Sequence, residues 1–180
     1  MKNLGSFLAL YPTPLVVVGT FTEGKPTWTL VGHLGIMGHD HIMVSLAKPH
    51  FINSNIIKNK ILSVNIVDEV LLEKADYVGC VSGNKTDKSE VFDFEIGTGG
   101  APIIKNSPLV MECVVEDNYE TKGFDNFILT ISNTYASEKI LDDNDKIDYN
   151  KLKPVLFEMP TYQYLKTGDI LGKCMSFGKK

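Results

Sequence analysis

The sequence contains no arginine, and all 18 basic residues among its 180 are lysine. Arginine supplies the planar, two-pronged guanidinium group that usually binds phosphates and carboxylates. Any anion must therefore be held by lysine, by hydroxyl groups or by backbone amides. The net charge of −4 gives no reason to expect nucleic acid or an anionic membrane as a partner.

Cysteine is scarce as well. The three cysteines, Cys80, Cys113 and Cys174, are far apart in sequence and form no CxxC pair. This spacing supports neither a zinc site nor a dithiol redox motif. It fits a reducing compartment, so we expect a cytoplasmic protein. The apolar N-terminus is interrupted at Tyr11–Pro14 and lacks the cleavage site of a signal peptide. No apolar run approaches the roughly 18 residues of a membrane span.

Two ligand-like patterns do not meet the requirements of a site. The acidic stretch Asp142–Asp148 resembles a calcium loop, but Lys146 and Ile147 stand where an oxygen ligand and a glycine belong. The stretch Gly97–Gly100 is no dinucleotide fingerprint, because neither a parallel strand nor a helix is evident around it. We expect no metal site.

The remaining composition is that of a single globular domain over residues 1–180, with 43% hydrophobic and 22% charged residues. Short β-type runs separated by turn residues predict an antiparallel sheet, most simply a barrel, with two or three short helices. The predicted strands are Leu15–Phe21, Thr27–Met37, His41–Ala47, Ile61–Val67, Pro108–Thr121, Asn126–Ala136 and Tyr162–Leu165. The predicted helices are Ile52–Lys60 and, with Asp68 as its cap, Glu69–Val78.

The segment Val78–Lys88 combines small residues, hydroxyl groups and two lysines. Small residues let backbone N–H groups converge, so this mixture is typical of an anion-binding loop. It is also typical of an ordinary solvated loop, in which Lys85 and Lys88 are surface charges.

Nine segments occur in order along the chain and together carry a resemblance to a known family. They are Tyr11–Thr20 (YPTPLVVVGT), Gly24–Pro26, Val44–Lys48 (VSLAK), Ser63–Ile66 (SVNI), Asp76–Gly83 (DYVGCVSG), Asp87–Lys88, Ala101–Ile104 (APII), Leu141–Asp148 and Gly172–Gly178. These segments resemble the flavin reductase-like family, most closely its flavoredoxin-type branch. The family resemblance implies an FMN-binding split barrel of six or seven antiparallel strands with Greek-key-like connections, usually a homodimer.

The resemblance also implies which residues contact FMN. They are Thr27, Trp28, Thr29, Leu30 and His33 beside the flavin ring, Ser45, Leu46, Ala47, Lys48, His50, Asn53 and Ser54 toward the ribityl chain and phosphate, and Ser82, Lys88, Phe157 and Tyr164. We expect Lys48 and His50 at the phosphate. We expect Lys88 near the flavin N1 or O2, where positive charge raises the midpoint potential.

This chain departs from the family pattern at three positions. Relatives often have Asn at Thr27, Trp at His33 and a histidine near Phe124. His33 fits a core histidine and a ring contact about equally, and Trp28 fits core or dimer packing as well as flavin contact.

The leading hypothesis is an FMN-dependent oxidoreductase that passes electrons from NADH, NADPH or a redox protein to an acceptor. The chemistry then lies on flavin N5, and no catalytic side chain is required. The lack of arginine mildly favours NADH over NADPH. The alternative is a non-enzymatic module that binds flavin or another planar ligand.

Overall fold

Twelve strands, three α-helices and one short 3₁₀ helix (Glu138–Ile140) follow one another in the computed structural model, which describes residues 1–178. The strands are β1 (Thr13–Pro14), β2 (Val16–Thr22), β3 (Lys25–Val31), β4 (Leu34–Ile36), β5 (His41–Ala47), β6 (Ile61–Ile66), β7 (Phe94–Ile96), β8 (Pro102–Ile104), β9 (Leu109–Thr121), β10 (Phe124–Ala136), β11 (Leu156–Glu158) and β12 (Gln163–Leu165). The helices are α1 (Ile52–Asn59), α2 (Leu72–Cys80) and α3 (Tyr149–Leu152).

Seven of the strands form one antiparallel sheet in the order β3-β2-β6-β9-β10-β5-β4. The sheet curls, as twisted sheets of this size do, until its edge strand β3 comes close to β5. The two strands do not pair, so the sheet is a half-barrel with an open seam. This fold confirms the predicted mainly β split barrel.

Both faces of the sheet are covered, which explains why three valines follow one another in β2 with no polar residue between them. Val16 and Val18 point into a core with α1, whereas Val17 points into a second core with α2. Successive strand residues face opposite sides, so a strand buried on both faces has no polar alternation. Trp28 lies in the second core against Phe92.

The predicted boundaries are close for the regular elements and differ where long-range packing intervenes. The strand His41–Ala47 is confirmed at both ends, whereas the predicted strand Thr27–Met37 breaks at Gly32 and His33. Phe157 packs so closely on Gly32 that a Cβ there would lie 2.6 Å from its ring. The helix predicted from Glu69 begins only at Leu72, because the Asp68 carboxylate accepts hydrogen bonds from the Val70 and Leu71 amides and forms a turn first.

The α-helices are four to nine residues long. Within residues 1–178, no helix has both the length and the apolar character required to cross a membrane. The sequence does not predict the short strands β1, β7, β8 and β11, because two or three residues are too few to show a periodic pattern of apolar side chains.

Glu112 anchors the loop between β7 and β8. Its carboxylate is fully buried and accepts hydrogen bonds from the Gly99 and Ala101 amides, the Asn133 amide and the Tyr135 hydroxyl. Burial raises the pKa of Glu112, but these four donors outweigh burial and hold the pKa below its usual range. The negative charge of the Glu112 carboxylate is therefore needed for the hydrogen bonds that hold this loop in the fold.

Replacing Glu112 with Gln should destabilise the protein by about 2 kcal/mol or more at pH 7, since amide hydrogens would face backbone donors. Because the folded-state pKa is depressed, the wild-type advantage is present above about pH 4.3 and is lost as the pH falls through the folded pKa. Urea unfolding at pH 7 and pH 3.5 measures both effects. The exposed Glu95→Gln is the matched control, and an equal loss in both variants would contradict the prediction.

Candidate functional site

The open seam of the half-barrel contains a cavity of about 390 Å³. We call it the seam cavity. Its walls come from β3, from the end of β5 and the start of α1, and from the C-terminal end of α2 with the loop that follows. The lining residues are Thr27, Trp28, Thr29, Ala47, Pro49, His50, Phe51, Ile52, Gly79, Cys80, Val81, Ser82, Gly83 and Lys88.

Hydroxyl groups line the β3 wall of the seam cavity. Thr27 and Thr29 alternate with Trp28 and Leu30, whose side chains pack into the second core. This period-2 alternation places the two threonines on one face. The β3 wall is therefore polar at the cavity and apolar behind it.

Lys88 ties the edge strand to the end of α2. Its buried ammonium group donates to the Trp28 carbonyl at 3.2 Å and to the Val78 carbonyl at 2.7 Å. One of its three N–H bonds remains for another acceptor. Burial lowers the pKa of Lys88. Lys88 is therefore not the solvated surface charge that the composition of its loop also allowed.

Two glycines shape the cavity through close approach. A Cβ at Gly83 would lie 2.7 Å from the Phe51 ring, and one at Gly79 would lie 2.9 Å from Leu30. A Cβ at Gly83 would also lie 3.1 Å from the Phe51 Cβ, which a change of rotamer does not move. Glycine at position 83 therefore lets the loop after α2 approach the start of α1 closely.

The N-terminus of α1 opens into the seam cavity. Phe51 occupies its N-cap position and provides no side-chain hydrogen bond, and the first turn contains no acidic residue. The Asn53 N–H donates to the His50 carbonyl at 3.2 Å. The helix dipole, and any N–H group that has no acceptor, favour an anion at such an end. His50 stands just before this end at the mouth of the cavity, with its Nδ1 3.4 Å from the Thr29 hydroxyl.

A second cavity of about 660 Å³ adjoins the first and shares Thr27, Phe51, Gly83 and Lys88 with it. We call it the lysine cavity. Lys58 and Lys85 line it and form no salt bridge within the described residues, whereas Lys25 pairs with Asp87. Ser54 and Asn55 add polar groups. The two cavities together form one cleft with a polar wall and a cationic end.

The structure brings eight of the predicted site residues to this cleft. They are Thr27, Trp28, Thr29, Ala47, His50, Ser54, Ser82 and Lys88. They come from three separate stretches of the chain, namely β3, the segment from the end of β5 into α1, and the loop after α2.

Three other predicted residues contact the neighbouring β9–β10 hairpin instead, and a fourth lies in the core. Ser45 donates to the Asn126 side chain at 2.8 Å, and Lys48 forms a surface ion pair with Glu120. Asn53 is buried and donates to the Asp125 carboxylate at 2.7 Å and to the Ala47 carbonyl at 3.2 Å. Leu46 is part of the core with α1.

The last four predicted residues lie outside the cavity lining. Leu30, Phe157 and Tyr164 pack at the second core, and the Tyr164 hydroxyl donates to Asp76. The His33 ring is hydrogen-bonded to the Tyr11 hydroxyl at 2.8 Å and lies 6.0 Å from the Phe124 ring. His33 is thus a satisfied, half-buried histidine in an aromatic group.

Several cleft residues were not predicted. Gly79, Gly83, Phe51, Lys58 and Lys85 line it. Phe51 and Lys58 flank predicted residues on α1, so helical spacing from Ser54 could have suggested Lys58. Cys80 is exposed at the cavity wall. No group of three metal-ligating side chains occurs among residues 1–178.

Comparison with protein families gives a match to the flavin reductase like domain over residues 8–164. Comparison with curated proteins gives no match.

Among solved structures, the flavoredoxin of Methanosarcina acetivorans is 30% identical, with a TM-score of 0.93 and coverage of 99% of this chain and 97% of that one. The flavoredoxin of Desulfovibrio vulgaris (Miyazaki F) is also 30% identical, with a TM-score of 0.91 and coverage of 99% and 100%. The FMN-binding protein of Thermus thermophilus is 18% identical, with a TM-score of 0.81 and coverage of 96% of each chain, which is a likeness of fold.

Proposed function

The chain belongs to the flavin reductase like family, and we propose from this membership that it binds FMN in the seam cavity and transfers electrons through it. A flavin-associated, reductase-type role follows from the family itself. The identity of the flavin, its electron donor and its acceptor are parts of the proposal. The observation that carries it is the single cleft at the open edge of the barrel.

The residues present fit a flavin mononucleotide. Each of the two cavities falls within the usual size range for a small-molecule site. Thr27, Thr29 and Ser82 offer hydroxyl groups to the polar edge of a ring. Gly79 and Gly83 have no side chains, so a ring can approach the backbone of the opposite wall. The uncharged ring and the charged phosphate thus have different ends of the cleft available.

The phosphate belongs at the cationic end in this proposal. Lys58, Lys85 and Ser54 surround that end beside the first turn of α1. The Lys48 ammonium group, which the sequence suggested for the phosphate, is paired with Glu120 on the surface. We therefore assign the phosphate to the lysine cavity rather than to Lys48.

Bound FMN would supply the electron-transfer chemistry, and the protein supplies binding and electrostatics. Lys88 brings a positive charge to the junction of the two cavities, with one N–H uncommitted. Its two backbone acceptors hold that charge in place. This position supports a role for Lys88 in raising the flavin potential.

Two functions within this class remain to be distinguished. An NADH- or NADPH-dependent reductase accepts electrons from a nicotinamide, whereas an electron carrier accepts them from a redox protein. The two flavoredoxins at 30% identity favour the carrier as the second candidate. A storage or sensing module would bind flavin without either exchange.

We also propose that two copies associate. Residues 1–12 contain no helix or strand, and Leu4, Phe7, Leu8 and Leu10 are each more than half exposed. Exposed apolar side chains in this density are typical of an interface. A second copy would cover this segment.

Purified protein should bind FMN and quench its fluorescence. Lys58→Gln and Lys85→Gln should each weaken the affinity about threefold to tenfold by removing a charge from the phosphate end. Lys139→Gln, an exposed lysine elsewhere, is the matched control. If Lys48→Gln weakens binding and the other two variants do not, the phosphate lies at the position suggested by the sequence.

Under anaerobic conditions, NADH should bleach the flavin absorbance of the FMN-loaded protein if it is a reductase. Flavin that resists NADH and NADPH but bleaches with dithionite indicates the carrier instead. The potential measured in the same cell should fall for Lys88→Met, because a positive charge leaves the cleft. Colourless protein that takes up no FMN would refute all flavin-based readings.

Light scattering at micromolar concentration should give the mass of a dimer. Joint replacement of Phe7 and Leu8 by Ser should shift the mass toward that of one chain, because it removes apolar contact area. Replacement of the isolated exposed Val70 by Ser is the control. A wild-type mass of one chain would contradict dimerisation.

A further inference from the structure

The segment that carries Lys88 into the seam cavity has no regular secondary structure. Residues 81–93 contain neither a helix nor a strand, yet the Lys88 ammonium group is buried and bound to two backbone carbonyls. Ordering a long lysine side chain costs conformational entropy, and burying its charge costs hydration. Other contacts must therefore hold the loop in the conformation that points Lys88 inward.

Asp87 closes a turn around Lys88. Its carboxylate oxygen Oδ1 accepts a hydrogen bond from the Ser89 N–H at 2.9 Å. This bond joins the residues before and after Lys88, so it fixes the backbone conformation at position 88. Asp and Asn both form such turns, because each has a side-chain oxygen at the required distance. The Lys88 carbonyl then accepts from the Val91 N–H at 3.3 Å and continues the turn.

The second carboxylate oxygen of Asp87 connects this turn to strand β3. Oδ2 lies 3.1 Å from the ammonium group of Lys25, which is the first residue of β3. Lys88 donates to Trp28, three residues further along the same strand. Both partners of the Asp87–Lys25 pair are more than half exposed, so solvent screens their attraction. We therefore assign the positioning to the hydrogen bond with Ser89.

We propose that Asp87 is a positioning residue, whose turn directs Lys88 into the seam cavity and thereby raises the flavin potential. The effect on the flavin rests on the proposed function, whereas the effect on Lys88 does not. Asp87 lines the adjoining lysine cavity, and its own negative charge by itself disfavours a reduced, anionic flavin. Loss of the turn and loss of the charge therefore shift the potential in opposite directions.

The reactivity of Lys88 toward acetic anhydride tests the positioning in protein without FMN. Mass spectrometry gives the rate of acetylation at each lysine, and the exposed Lys139 is the internal standard. Asp87→Ala should raise the rate at Lys88 about threefold to tenfold, as expected for the loss of one hydrogen bond that holds the loop. Asp87→Asn keeps an acceptor for the Ser89 N–H and should react as the wild type does. Equal rates in all three proteins, or an equal rise in both variants, would overturn the proposal.

The flavin potential tests the second step in FMN-loaded protein. Asp87→Ala should lower the potential, as Lys88→Met does, although it removes a negative charge. Asp87→Asn removes the same charge but keeps the turn, so its potential should equal or exceed that of the wild type. Glu90→Gln, which removes an exposed carboxylate from the same loop, is the matched control for charge alone. A potential of Asp87→Ala at or above the wild-type value contradicts the proposal.

The two measurements separate this proposal from the proposed function. Failure of the wild type to bind FMN, seen as no fluorescence quenching, overturns the proposed function, and the acetylation rates still decide whether Asp87 positions Lys88. Normal FMN binding with unchanged acetylation of Lys88 in Asp87→Ala overturns the positioning role and leaves the proposed function intact.

Discussion

The open seam of the curled sheet is the constraint on which the rest of the structure depends. Strand β3 pairs only with β2, so one edge of its backbone lacks a strand partner. Lys88 supplies part of that partner by donating to the Trp28 carbonyl, and it joins the edge to α2 through the Val78 carbonyl. A buried edge requires such satisfaction. The same contact places a positive charge at the wall of the cavity. Lys88 therefore both satisfies the edge of the sheet and gives the site its charge.

Local pattern was enough to predict the sheet and its main helix. The alternation of buried and partly exposed residues in β5 and the run of valines in β2 depend only on which faces of the strand are buried. Residues next to one another in the sequence are enough to show this pattern. The break between β3 and β4 depends instead on Phe157, more than 120 residues later in the chain than Gly32. A glycine interrupting a strand signals close approach, but its partner cannot be read from local sequence.

The sequence predicted which segments of the chain surround the candidate site, but not which side chains line it. Ser45, Lys48 and Asn53 all lie where the family resemblance placed them along the chain, yet their partners Asn126, Glu120 and Asp125 come from the β9–β10 hairpin. That hairpin is 72 to 81 residues away in sequence. The three contacts fix the segment from β5 to α1, which positions His50 and the helix N-terminus. Their role is to place the cleft rather than to line it.

This geometry explains why a site without arginine is suited to the seam cavity. A guanidinium group is charged at every accessible pH, and in a cavity without carboxylates it would repel Lys88 whether or not a ligand was bound. An imidazole, by contrast, can be neutral beside Lys88, so His50 and Lys88 can line the same cavity. The carbonyls of Trp28 and Val78 hold the Lys88 ammonium group, and no carboxylate lines the seam cavity within residues 1–178.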